Sequence, residues 1–300
     1  MPSLIPLLNL PADLIPRAAI FMSGSGSNAE RILESLKDLA APPLQIACLV
    51  TDAPETSRAR EIGKTWGLPV IENDIKAFYT ARGVTRISLA TPEGRALREE
   101  WTNLLRVRLQ PFGIHFGIFA GFVPLTNLTG DFPCLNVHPG DLTWLKDGRR
   151  HLVGLHTVPI ERAILEGLTS LRTSVIIAEP YTGGGDDMDS GAIIGLSEPV
   201  AIDLQGQSLA ELAACLGRRP EKRPRDGYGD ILESVAKHNL NLLKENGDWV
   251  VFPPAAIDFA RGCFHKDAAG KLWYRTGDNA FVPIETVVYG PHGRELRPRC

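Results

Sequence analysis

Between residues 18 and 200 the chain alternates short apolar runs with stretches of helical period, and this alternation restricts the fold more than any other feature. AAIFMS (18–23) and QIACLVTD (45–52) read as strands covered on both faces, because each is an almost unbroken apolar run. Between them SNAERILESLKDLA carries Ile32, Leu33, Leu36 and Leu39 on one helical face. ETSRAREIGKTWG (55–67) reads as a second helix, ended by Gly67 with Pro69 beyond it. LPVIEND gives a short strand and GRALREEWTNLLRVRLQ (94–110) a long helix. GIFAGF (117–122), CLNVH (134–138), TSVIIAE (173–179) and GAIIGLSEPV (191–200) supply later strands. The order predicts an α/β fold: an open, mostly parallel twisted sheet with helices on both faces. In such sheets ligands collect at the carboxyl ends of the strands.

The ends of the chain have a different texture. MPSLIPLLNLPADLIPRA is partly apolar, but its early prolines and its lack of a basic start speak against a signal peptide, so residues 1–16 read as an N-terminal extension. GRRPEKRPRDG (217–227) reads as an exposed linker, and YGDILESVAKHNLNLLKENG (228–247) as a last helix closing on Gly247. Beyond it DWVVF, KLWYR and FVPIETVVYG alternate β-like runs with Gly, Asp and Asn turns. The expected organisation is therefore an extension (1–16), a main α/β domain (17–246) and a small β-rich C-terminal appendage (247–300). A net charge of −3 gives no reason to expect nucleic acid, and no apolar run is long enough for a bilayer. Five cysteines without CxxC spacing predict neither a zinc site nor a disulfide framework. The expectation is a soluble cytoplasmic protein.

Directly after the first strand comes SGSGSN (23–28). Glycines let the backbone approach a ligand closely, and the open amides of a helix start favour an anion. Gly24, Ser25, Gly26, Ser27 and Asn28 therefore form a candidate cradle for a phosphate or carboxylate. The same residues also fit two other readings. Gly24-x-Gly26-x-x-Ala29, with Asp52 at the next strand end, matches a dinucleotide fingerprint, and a plain turn with Ser27 or Asn28 as helix cap would look alike. A P-loop is excluded, since no Gly-Lys-Ser/Thr follows.

In NVHP (136–139) Asn136 and His138 alternate along a strand end and so point to one side, and Pro139 stops the strand. A carboxamide beside an imidazole suits an oxyanion developing on a carbonyl. A carboxylate could orient the imidazole, and Asp189 in GGGDDMDSGAII is a candidate to deliver it. A strand-end histidine satisfied by backbone, and a solvated acidic turn at Asp186, Asp187 and Asp189, are the bland alternatives. A calcium loop is a further one, although the spacing completes no EF-hand, so no metal is expected.

Taken together, SGSGSN, AGFV (120–123), NVHP, RTSV (172–175) and MDSGAII (188–194) resemble, in order, the motifs of the 10-formyltetrahydrofolate-dependent formyltransferases, over roughly residues 17 to 245. The branch most similar is the one that formylates glycinamide ribonucleotide in purine biosynthesis. The resemblance implies a Rossmann-like formyltransferase fold with 10-formyltetrahydrofolate as co-substrate and no metal. It makes 24–28 a cradle for the substrate's phosphate rather than for a dinucleotide. It implies that Asn136 and His138 stabilise the tetrahedral oxyanion while Asp189 holds His138 and assists proton transfer. Arg95, Ala120, Gly121, Phe122, Val123 and Asn136 would meet the folate. The implied partners are small molecules, with neither nucleic acid nor membrane, and a homodimer is compatible. Three stretches depart from the pattern. NVHPGDLTWLKDGRRHLVGLH is longer and more basic than the family's loop, YTGGGDDMD is extended, and VAKHN places Lys237 where the purine enzyme has a substrate-touching glutamate. The last departure leaves another amine, such as an amino sugar nucleotide, open as acceptor. A non-catalytic folate- or nucleotide-binding homologue and an NAD(P)-dependent oxidoreductase using Gly24, Gly26, Ala29 and Asp52 stand as the remaining alternatives.

Overall fold

The computed structural model describes residues 3–11, 13–84, 89–181, 189–224 and 227–298. Strands β1 (Ile5–Pro6) and β2 (Arg17–Met22) precede helix α1 (Ser27–Lys37). Then follow β3 (Gln45–Thr51), α2 (Ala59–Trp66), β4 (Val70–Glu72), α3 (Ile75–Thr80) and α4 (Pro92–Leu109). The middle holds β5 (Phe116–Phe119), β6 (Cys134–His138), a hairpin of β7 (Leu145–Lys146) and β8 (Arg149–Arg150), and α5 (Val158–Leu165). Next come β9 (Ser170–Leu171), β10 (Ser174–Ala178), β11 (Ile193–Ser197) and β12 (Val200–Ala201). Helices α6 (Leu209–Gly217), α7 (Ile231–Leu243) and α8 (Trp249–Ala260) lead to β13 (Phe264–Lys266), β14 (Leu272–Arg275), β15 (Phe281–Gly290) and β16 (Gly293–Pro298).

One mixed sheet of twelve strands organises the molecule, in the order β1-β13-β14-β15-β11-β10-β6-β5-β2-β3-β4, with β16 beside β15. The stretch β6-β5-β2-β3-β4 is parallel throughout. Strand β10 then pairs antiparallel with both β6 and β11. Alternation along β2 explains how helices come to lie on both faces. Ala18, Ile20 and Met22 join the core that contains Ile32 and Leu36 of α1. Ala19 and Phe21 join the opposite core, with Phe78 of α3 and Trp101 and Leu105 of α4. The carboxyl ends of β2, β5 and β6 therefore share one edge, where their loops meet.

Three local expectations change. Helix α1 is capped at Gly26 with φ 70° and no side-chain bond, so neither Ser27 nor Asn28 is the cap. The last helix does not close on Gly247. A π-helical turn at Lys244–Asp248 carries α7 directly into α8. DWVVF is therefore helical rather than extended, because the run WVVFPPAAIDFA is buried on most sides and its apolar period carries no strand signal of its own. The expected boundary at 246/247 falls inside this helical run. Val251, Phe252, Ala255, Ala256 and Phe259, all beyond it, sit in the same core as β2 and α1. Strands β13 to β16 are present in the tail, joined to the main sheet by the parallel pair β11–β15, and β1 of the N-terminal extension pairs with β13. No helix among the described residues is long and apolar enough to cross a membrane.

Candidate active site

A cleft of about 290 Å³ opens where the loops after β2, β5 and β6 converge. Asn28, Gly121, Phe122, Val123, Asn136, His138 and Asp189 all line it, so four of the five sequence motifs reach one cavity.

The glycine turn is built for close approach. Gly26 has φ 70°, a backbone conformation that strains any other residue, and a Cβ there would also press on the ends of the Ile62 and Met22 side chains. The turn opens α1, whose first amides have no partner within the helix and carry its positive end. Gly24 and Ser25 are exposed and Asn28 is buried. Arg58 fixes the turn from behind, its amide donating to Gly24 O (3.1 Å) and its guanidinium to Ser25 O (3.2 Å). Asp52 is tied differently. It accepts from Ser23 Oγ (2.5 Å), whose oxygen accepts from the Val123 amide (2.9 Å). Burial raises its carboxyl above the usual range, against the bond from Ser23. Asp52 thus holds the glycine turn to the 120–123 segment and lies outside the cleft lining.

His138 is 3% exposed, and both ring nitrogens face acceptors. Nε2 donates to the Leu152 carbonyl (2.7 Å), and Nδ1 lies 3.3 Å from Asp189 Oδ1. Asp189 has φ 66°, a left-handed conformation that Asp tolerates better than most residues, and its second oxygen accepts from the Gly154 amide (3.3 Å). Gly191 explains the Asp-x-Gly spacing, since a Cβ there would stand 1.7 Å from the Ile177 carbonyl of β10. Asp186 and Asp187 lie outside the described residues. Among the described residues no cluster of His, Cys, Asp and Glu is arranged to hold a metal.

The RTSV stretch works as support. Ser174 Oγ donates to Gly140 O (2.7 Å) and accepts from the Leu142 amide (3.0 Å), which pins the loop that follows NVHP. Thr173 Oγ1 donates to Asp248 Oδ1 (2.8 Å), and Asn28 Nδ2 donates to Asp248 Oδ2 (3.0 Å). Asp248 lines the cleft from the π-helical turn, and burial raises its carboxyl above the ordinary range against those two bonds and the nearby Lys244. Asp248 and Lys244, both cleft residues, were not among the sequence candidates. The only signal in the sequence is an acid set beside a glycine at the join of two helical runs.

Other candidates lie elsewhere. Arg95 donates to the carbonyls of Leu89 (3.0 Å) and Ala90 (3.1 Å) and does not line the cleft. Its neighbour Arg98 is buried and reaches the Leu125 carbonyl (2.7 Å) behind the wall. Ala120 belongs to the core, while Gly121 to Val123 reach the cavity. Lys237 is exposed, 3.6 Å from Glu233, and takes no part in the cleft.

No protein-family model and no curated protein matches the sequence. Solved structures do. Phosphoribosylglycinamide formyltransferase of Coxiella burnetii superposes with TM-score 0.57 at 14% identity, over 92% of this chain and 100% of its own. The corresponding protein of Anaplasma phagocytophilum gives 0.56 at 17%, over 88% and 97%. Glycinamide ribonucleotide transformylase 1 of Symbiobacterium toebii gives 0.52 at 20%, over 83% and 90%. The fold is the Rossmann-like fold of these formyltransferases.

Proposed function

We propose that this chain transfers the formyl group of 10-formyltetrahydrofolate to the amine of a small phosphate-bearing acceptor, glycinamide ribonucleotide in purine biosynthesis. The observation that carries the proposal is the His138–Asp189 pair at 3.3 Å in a cleft that also reaches Asn28 of the glycine turn. Formyl transfer between nitrogens needs two bound reactants in contact, donors at the oxyanion and a route for one proton. The cleft supports each demand.

A flat ring suits the apolar side formed by Phe122, Val123, Pro124, Leu125 and Ile176, and 290 Å³ stands at the small end of ligand pockets. The acceptor's phosphate would sit on the amides of residues 24–28. Its amine attacks the formyl carbon, and the carbonyl electrons move to oxygen. The Asn136 amide donates to that oxygen. His138, its ring fixed between the Leu152 carbonyl and Asp189, stands beside the oxyanion, and the Asp189 carboxylate assists the transfer of the proton lost by the attacking nitrogen to the folate nitrogen as its bond to carbon breaks. Asp248, bonded to Asn28, is a carboxyl in the cleft that the acceptor would meet, whereas Lys237 lies outside it. The dinucleotide reading loses its acid, because Asp52 is buried against Ser23.

Incubation with 10-formyltetrahydrofolate and glycinamide ribonucleotide, followed by the absorbance of deformylated folate, tests the proposal. Turnover is expected. Turnover only with an amino sugar nucleotide would move the acceptor, and folate binding without turnover across a panel of amines would leave a non-catalytic homologue.

A further inference from the structure

The long basic loop after Asn-x-His-Pro has no part in the chemistry above, yet it touches the His138–Asp189 pair at three points. LKDGRR forms a tight hairpin in which Leu145 pairs with Arg150 and Lys146 with Arg149. Asp147 (φ 52°) and Gly148 (φ 72°) take the left-handed conformations that a two-residue turn of this kind requires. From the hairpin the chain returns along the cleft. Arg150 donates through Nη1 to the Asp189 carbonyl and through Nη2 to the Gly191 carbonyl (2.9 Å). The Leu152 carbonyl accepts from His138, and the Gly154 amide donates to the Asp189 carboxylate. The segment is held from behind as well. Leu152 is buried in the core of α5 and α7, and Arg162 of α5 donates to the carbonyls of His151 (2.9 Å) and Val153 (3.0 Å).

Asp189 needs such support, because a left-handed non-glycine residue holds its conformation only when its surroundings over-determine it. Gly191 is pressed against the β10 backbone, which fixes one end of the turn. The guanidinium then spans the carbonyls on both sides of Ser190 and fixes the other. We propose that Arg150 is a positioning residue: by bridging the carbonyls of Asp189 and Gly191 it aims the Asp189 carboxylate at His138 Nδ1. The kinetic consequence rests on the formyl-transfer reading, while the structural consequence does not.

The test compares Arg150→Met and Arg150→Lys with the unaltered chain by heteronuclear NMR of the His138 ring nitrogens, assigned by their loss in His138→Gln. Transfer kinetics and thermal melting are measured in parallel. Arg150→Met is expected to shift the Nδ1 signal and to lower kcat about 10²-fold, the usual result of misplacing a catalytic group by about 1 Å, with the acceptor KM within about twofold. Arg150→Lys, which keeps the charge but has one nitrogen in place of the fixed two-nitrogen fork, is expected to do the same in smaller measure. It carries the test alone if the methionine variant does not fold. An unshifted ring signal in both folded variants overturns the positioning role, whatever the kinetics. A shifted signal in a protein that transfers no formyl group upholds it and overturns the formyl-transfer reading alone.

Discussion

His138 has acceptors on both ring nitrogens, the Leu152 carbonyl on one side and the Asp189 carboxylate on the other. Replacing the carboxyl by an amide of the same shape separates its chemistry from its packing. Asp189→Asn is expected to leave the melting temperature close to that of the unaltered protein while formyl transfer falls by about 10²–10⁴-fold, the range of a positioned acid–base group. Transfer within threefold of the original would remove Asp189 from the mechanism. Asn136 and His138 were legible from the sequence for a physical reason: period-2 alternation at a strand end puts both on one side, and Pro139 stops the strand there. Asp189 was legible as a candidate from its place on a glycine-rich loop before a strand, but only the resemblance set it above a solvated acidic turn, since no spacing rule says which distant loop a histidine meets. Arg95 shows the converse. It holds the motif position on α4, yet its guanidinium bonds two carbonyls of its own preceding loop and does not line the cleft.

Asp248 was hidden because the element that carries it was misjudged. Val250 and Val251 favour strands, and Pro253 and Pro254 argue against a helix interior. The helix forms regardless, because its apolar side chains fill the main core, and the π-helical turn comes directly before the residues whose carbonyls the prolines leave without an amide partner. Gly247 is essential to that turn. A Cβ there would lie 2.6 Å from Thr173 Oγ1 and 2.8 Å from Leu243 Cδ1, and Thr173 is the residue that donates to Asp248. Gly247→Ala is therefore expected to cost about 1–3 kcal/mol of stability in urea unfolding, the usual price of overpacking, and to raise the acceptor KM by displacing Asp248. An unchanged unfolding midpoint would mean that Thr173 moves freely and the turn is not tightly packed. The amphipathic helices α1 and α4 were legible because each has one polar face. The α7–α8 run was not, because a helix buried on most sides loses the periodicity by which it is read.

Alternation of strands and helices revealed the parallel half of the sheet, but not that both chain ends extend the other half. Strand β1 is too short to stand out in a sequence, and its pairing with β13 joins positions at opposite ends of the chain. His265 lies at that junction. Pro6 is its register partner in β1, the Phe281 ring meets its own edge-to-face at 4.8 Å, and its Nδ1 is buried without a hydrogen-bond partner. Burial lowers its pKa below the ordinary histidine value, against a backbone hydrogen bond at Cys263. The unfolded chain therefore binds a proton near pH 6.5 that the folded chain takes up only at lower pH. This group's contribution to stability is complete above about pH 6.5 and is lost as pH falls from there toward the folded value. His265→Leu removes the titration while keeping an apolar side chain in the contact with Phe281. Urea unfolding between about pH 7.5 and 5.5 should accordingly show a shallower loss of stability in the variant than in the unaltered chain. In the unaltered chain, hydrogen exchange at the Leu7 amide, which donates to the Phe264 carbonyl next to His265 (2.9 Å), should accelerate relative to the variant over the same interval. Parallel pH slopes for the two proteins would mean that His265 gains a proton without opening the junction, and that the two chain ends are held by β-pairing alone.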